Sequence, residues 1–124
     1  MGYKINFIRK PTYLHAIVTG ENSKENVVKY LYDILQECTK RNCLKVLIEE
    51  RLEGPRLGTF DVYSIASLIA IESMGKIKAV AYVDINAEGN LMHFAETVAT
   101  NRSLPVKVFS TVAEAEKWLQ EKGI

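Results

Sequence analysis

The chain has 124 residues, 48% of them hydrophobic and 25% charged, with a formal net charge of +1. This suits one domain of common size that buries its own core, and it supplies neither the clustered basic stripe of a nucleic-acid binder nor an apolar run of the roughly 20 residues needed to cross a membrane. The N-terminus has no signal-like apolar segment, so a cytoplasmic protein is expected.

Tyr3 to Arg9 alternates, with Tyr3, Ile5 and Phe7 set against Lys4, Asn6 and Ile8, which predicts a half-buried strand. Lys10-Pro11 breaks it. Tyr13 to Thr19 is again rich in β-branched and aromatic residues, and so short a link predicts an antiparallel hairpin. Gly20 to Glu25 starts a helix: Asn22 and Glu25 have capping-box spacing, and Ser23 is a competing cap. Val27, Leu31, Ile34, Leu35 and Cys38 share one helical face, and Lys40, Arg41 and Asn42 suit its C-terminus. Leu44 to Ile48 is a continuous apolar strand of the kind buried in parallel sheets. Charge then appears at Glu49, Glu50 and Arg51, and Gly54-Pro55 breaks a loop over Arg51–Gly58.

A second helix is predicted from about Thr59 to Met74, with Gly75 as its stop. Val62, Tyr63, Ile65, Ala66, Ile69, Ala70 and Met74 form a broad inner arc. Phe60, Leu68 and Ile71 fall outside it, among Asp61, Ser64 and Ser67. A helix apolar on two faces needs two covers, one being its own sheet. The other is a neighbouring helix, a second subunit, a lipid-like ligand or a membrane surface. Ile77 to Val83 is another strand, ending at Asp84, and Ile85 to Asn90 is a turn. Leu91 to about Asn101 is a third helix, with Leu91, Phe94, Ala95 and Val98 inward, and Pro105 to Phe109 a short strand. Ser110 or Thr111 caps a last helix packed through Val112, Ala115, Trp118 and Leu119.

The order β-β-α-β-α-β-α-β-α implies one α/β domain over residues 1–124, with a mostly parallel five-stranded sheet and an antiparallel N-terminal edge strand. Its expected core includes Val18, Leu31, Leu35, Val46, Ile48, Ile69, Val80, Tyr82, Phe94, Val108 and Trp118.

With this order the chain resembles the STAS superfamily, and within it the small stand-alone SpoIIAA-like, or STAS/SEC14-like, bacterial proteins. The resemblance spans nearly the whole chain. It rests on the Tyr13-to-Gly20 strand before a helix, Val46-Leu-Ile-Glu-Glu before a loop and apolar helix, Ala79-Val-Ala-Tyr-Val-Asp84, Phe94-Ala-Glu96 and the Phe109-to-Leu119 strand-cap-helix. It implies a SpoIIAA-like fold and a regulatory domain that works by protein contact, as a homodimer or with another regulatory protein. The SEC14-like side implies instead a carrier of an apolar small molecule. STAS antagonists carry an Asp-Ser-Ser/Thr-Gly-like phosphorylation motif where this chain reads Leu57-Gly-Thr-Phe-Asp61. Thr59 is the one hydroxyl near that place, without the preceding Asp or the following Gly.

Three groups of candidate site residues follow. Arg56, Gly58 and Thr59 combine a guanidinium with a helix N-terminus, which suits an anion or a phosphorylated hydroxyl. More often such a threonine is a cap and such arginines pair with nearby acids, here Glu49, Glu50 and Glu53. Glu49, Glu50, Arg51, Asp84 and Asn86 stand at carboxyl ends of strands, where open α/β sheets bind ligands. Phe60, Leu68 and Ile71 are the candidate interface. Catalytic chemistry finds little support. His15 lies in a strand, and His93, Glu96 and Thr97 share what is more often a solvated helix face. There is no nucleophile elbow, no dinucleotide glycine fingerprint and no two-histidine metal spacing. Cys38 and Cys43 lack C-x-x-C spacing and read as reduced, packed thiols. No catalytic residue, metal or cofactor is expected.

Overall fold

The alternation at the N-terminus becomes a hairpin. In the computed structural model, which describes residues 2–55, 57–84, 96–101 and 104–121, β1 (Tyr3–Arg9) pairs antiparallel with β2 (Leu14–Glu21), Tyr3 opposite Gly20 and Arg9 opposite Leu14. Gly20 is required there. Its φ is +136°, and a Cβ at this position would stand 2.5 Å from the Gly2 carbonyl oxygen and 2.6 Å from Tyr3 Cα. β3 (Lys45–Glu53), β4 (Ala79–Asp84) and β5 (Val106–Phe109) then add in parallel, giving a five-stranded sheet in the order β1-β2-β3-β4-β5.

β3 is longer than its apolar run. It runs through Glu49, Glu50, Arg51, Leu52 and Glu53, because β2 continues to pair with it as far as Glu21 opposite Glu53. Arg51 therefore belongs to the strand and not to the loop after it. Leu44, expected as the first strand residue, precedes the strand and is exposed.

Strand periodicity splits the side chains between two faces. Val46, Ile48, Glu50 and Leu52 share a face with Leu14, Ala16 and Val18 of β2 and with Val80, Tyr82 and Asp84 of β4. This face is covered by α1 (Lys24–Lys40), which buries Val27, Tyr30, Leu31, Ile34, Leu35 and Cys38, and by α2 (Thr59–Glu72) beyond it. A helical segment at 96–101, α3, buries Val98 and Ala99, and Ala99 joins the same core. The opposite face is narrower. Leu47, Ala79, Ala81 and Val83 pack there against Tyr13 and against Ala115 and Leu119 of α4 (Val112–Glu121).

The helix ends follow local chemistry. Ser23, not Asn22, is the N-cap of α1, its side chain accepting the Asn26 N–H at 3.1 Å. Asn22 is held elsewhere: its backbone N–H donates to Glu53 O at 2.7 Å, and its amide donates to Pro55 O at 2.9 Å. Asn42 takes the left-handed φ of 55° past the end of α1. Thr111 accepts the Glu114 N–H at 3.3 Å at the start of α4.

Of the expected core, Val18, Leu31, Leu35, Val46, Ile48 and Val80 are buried. Ile69, Tyr82, Val108 and Trp118 are only half-buried. The first three face a cavity, and Trp118 sits on the flank of α4 beside Phe109, ring centroids 5.8 Å apart. Phe94 lies outside the described residues.

Candidate functional site

The polar centre of the molecule lies in the middle of the sheet. Glu49 and Glu50 follow one another on β3, and both are buried, at 4% and 5% exposure. A buried carboxylate is tolerated only where donors surround it. Glu49 points to the α4 side. His15 Nε2 lies 2.9 Å from its Oε1, and Arg51 Nε donates to its Oε2 at 2.5 Å. Both oxygens are thus engaged in a self-neutralising group.

Glu50 points to the other side. Its Oε2 accepts from the hydroxyls of Tyr30 and Tyr82, which stand 2.6 Å from each other. Tyr30 comes from the buried face of α1 and is fully enclosed. Burial first, and then the charge of Glu50, pushes both phenols well above their ordinary pKa, so they stay protonated donors. Asp84, also buried, stands opposite Glu50 on β4.

Beside this cluster, between α2 and the sheet, lies a cavity of about 130 Å³. Its wall is mostly aliphatic, including Leu31, Val46, Ile48, Ile65, Ile69 and Val80. Glu50 and Tyr82 form its polar end, and Asn22, Ser73 and Glu96 are the other polar side chains on its wall. Of the 14 residues of α2 only Ile65 and Ala70 are fully buried, so this helix is lightly seated over the cavity.

The outer side of α2 is a second apolar feature. Phe60 is 76% exposed, Ile71 59% and Met74 69%. Tyr63 and Leu68 are exposed beside them. Tyr63 and Met74 were expected on the inner arc. Spacing explains the difference for Tyr63, which stands on the same side of the helix as Phe60 and Ile71 in steps of three and four, whereas Met74 lies past the helix end at Glu72. The inward side is left to Val62, Ile65, Ala66 and Ile69.

No protein-family model matches the chain, and no curated protein does. A solved structure does: an uncharacterised protein of the DUF3478 family with a SpoIIAA-like fold, from Shewanella loihica PV-4. The two are 21% identical, the match covers 95% of this chain and 94% of that one, and the TM-score is 0.57. The fold is SpoIIAA-like. Four of the features behind the resemblance, the β2 strand, the β3 carboxyl end, β4 and the β5–α4 unit, lie in the sheet and in the helix that follows its last strand.

Within the SpoIIAA-like frame the candidate residues separate. Glu50 and Asp84 come together on the cavity side, whereas Glu49 and Arg51 project to the opposite face, and Asn86 lies outside the described residues. Gly58 and Thr59 are exposed at the start of α2. Thr59 is not the cap: Gly58 holds that position without a side-chain bond. Arg56 lies outside the described residues, and the acid in the first turn, Asp61, faces Lys24 at 3.5 Å. Cys38 and Cys43 are both buried and reduced, and burial pushes the Cys38 thiol up to about 12, far from a reactive thiolate. Among the described residues no three His, Cys, Asp or Glu side chains converge to hold a metal ion, and no helix is long and apolar enough to cross a membrane.

Tyr30 as a partner of Glu50 was missed in the sequence. The signal was present: Tyr30 sits between Val27 and Ile34 on the inner face of α1, and a buried phenol needs an acceptor. Likewise a charge pair following a buried apolar run calls for donors on both sides of the strand.

Proposed function

We propose that this domain binds a small, mostly apolar molecule in the cavity beneath α2 and acts by binding, without catalysis. The observation that carries this reading is the aliphatic cavity of about 130 Å³ that ends at Glu50 and Tyr82. Apolar cavities near 150 Å³ accept a benzene-sized guest, so a ring or short chain of roughly six to eight heavy atoms suits this one, and a full acyl chain does not. The light seating of α2 supplies an entry route, because weakly buried elements open at low cost.

The test is a melting-temperature series with toluene. A guest that binds only the folded state stabilises it by mass action. Toluene should raise the melting temperature in proportion to the logarithm of its concentration. Ala66→Leu, which places bulk at the wall, should abolish the effect. A wild type indifferent to toluene overturns the reading.

A second reading is favoured by the exposed stripe on α2. Phe60, Leu68 and Ile71, with Tyr63 and Met74, form a surface suited to a second copy of the chain or to another regulatory protein. The two readings are compatible, since one helix carries the cavity wall on one side and the stripe on the other.

A further inference from the structure

We infer that the partner of the α2 stripe is a second copy of this chain, laid antiparallel across a two-fold axis that passes beside Ser67. The inference rests on the second reading above and names the partner and its orientation.

Ser67 lies at the middle of the exposed side. Steps of three and four lead from Phe60 through Tyr63 and Ser67 to Ile71, so a small polar residue stands between large apolar ones along the helix. Among the described residues its hydroxyl is the one buried polar side-chain group without a hydrogen-bond partner. A hydroxyl inside a helix can bond to the carbonyl four residues back, as Thr39 does in α1 on Leu35 O at 3.0 Å. Ser67 does not, and an orphaned buried hydroxyl is costly. A two-fold axis beside Ser67 supplies what is missing. A turn about χ1 into another staggered well brings the hydroxyl to the outer face, where it meets its own counterpart, one donating and the other accepting.

The orientation follows from the residues on either side. Tyr63 and Ile71 are equally distant from Ser67 in sequence. Antiparallel helices therefore set Tyr63 of one chain against Ile71 of the other, and Phe60 of one toward Met74 of the other. The charges at the two ends agree. At the Phe60 end, Lys24 lies 3.5 Å from Asp61 and 6.0 Å from the Phe60 ring centroid. At the far end, Lys40, Glu72 and Lys76 line one surface groove. Antiparallel packing brings Lys24 of one chain toward Glu72 of the other, and Asp61 toward Lys40 and Lys76. Parallel packing would set the excess positive charge of that groove against itself and align the two helix dipoles.

The test uses single cysteine variants of the full chain under mild oxidation, the native Cys38 and Cys43 being buried. Ser67→Cys should become a disulfide-linked dimer. Phe60→Cys should not, because a rise of about 1.5 Å per residue sets the two Phe60 positions roughly 20 Å apart across the axis, beyond the reach of a disulfide. Tyr63→Cys mixed with Ile71→Cys should give the mixed dimer in preference to either self-linked one. Self-linkage of Phe60→Cys as fast as that of Ser67→Cys marks parallel helices and overturns the inference. So does a wild type that sediments as a dimer while Ser67→Cys fails to link, since its seam then lies elsewhere. A wild type that stays monomeric overturns it as well, and the stripe is then left to another protein, so the reading beneath survives. If Ile71→Glu unfolds the chain, the stripe is no surface, and reading and inference fall together.

Discussion

Glu49 and Glu50 are consecutive on β3, yet they serve opposite faces of the sheet. Glu49 meets His15 and Arg51, and Glu50 meets Tyr30 and Tyr82. The period of two in a strand forces this division, and each carboxylate has recruited donors from a different layer. A carboxylate buried this deeply depends on each donor.

Tyr30→Phe therefore removes a hydroxyl from a buried acceptor without changing the packing volume. A hydrogen bond to a charged group is worth roughly 1.5–3 kcal/mol, and that loss of stability is expected by urea unfolding. Tyr32→Phe, at an exposed position on the same helix, should stay within about half a kcal/mol. Equal effects at the two sites would show that Glu50 does not rely on Tyr30.

Alkaline pH should destabilise the fold through the same groups. Burial and then the Glu50 charge raise Tyr30 and Tyr82, while burial and then the Asp33 hydrogen bond push Tyr3 up to about 12. A folded pKa above the unfolded value near 10 means that the contribution is whole below about pH 10. It is lost as pH rises from there through the folded values. Unfolding free energy should thus fall above about pH 10, with phenolate absorbance and loss of circular dichroism rising together. Ionisation of all six tyrosines in a chain that keeps its dichroism contradicts this.

Gly20→Ala tests the hairpin. The added methyl would meet the Gly2 carbonyl oxygen at 2.5 Å, in backbone at φ +136°. Strain of this kind costs on the order of 1–3 kcal/mol before any clash is counted. Because β1 is the edge strand, the expected outcome is early hydrogen exchange along Tyr3–Arg9 while β3 stays protected. Unchanged protection in β1 would show that the strand end can shift at little cost.

Much of the fold was legible because periodicity and punctuation agree. Tyr3–Arg9 alternates, Asn42 and Gly75 mark helix ends with positive φ, and the parallel strands are apolar runs. Two things were not legible. The end of β3 was hidden, because Glu49, Glu50 and Arg51 look like a loop until β2 is known to pair with them. The inner and outer sides of α2 were blurred, because apolar residues on two faces of a helix leave periodicity little contrast to measure. Both failures fall at the candidate site, where local sequence rules yield to long-range partners.

The exposed stripe on α2 gives the last prediction. Burying a large apolar side chain contributes roughly 1.5–3 kcal/mol, so a face with Phe60, Tyr63, Leu68, Ile71 and Met74 supplies enough to hold two chains together. We expect the wild type to sediment as a concentration-dependent dimer. Ile71→Glu changes a side chain at 59% exposure, so the monomer fold should survive. A carboxylate buried without a partner between two helices is costly, so association should be lost. Leu68→Glu, at the margin of the stripe, should weaken it less. A wild type that stays monomeric at every concentration removes self-association from the second reading. If Ile71→Glu also unfolds the chain, the stripe belongs to the core and is no docking surface.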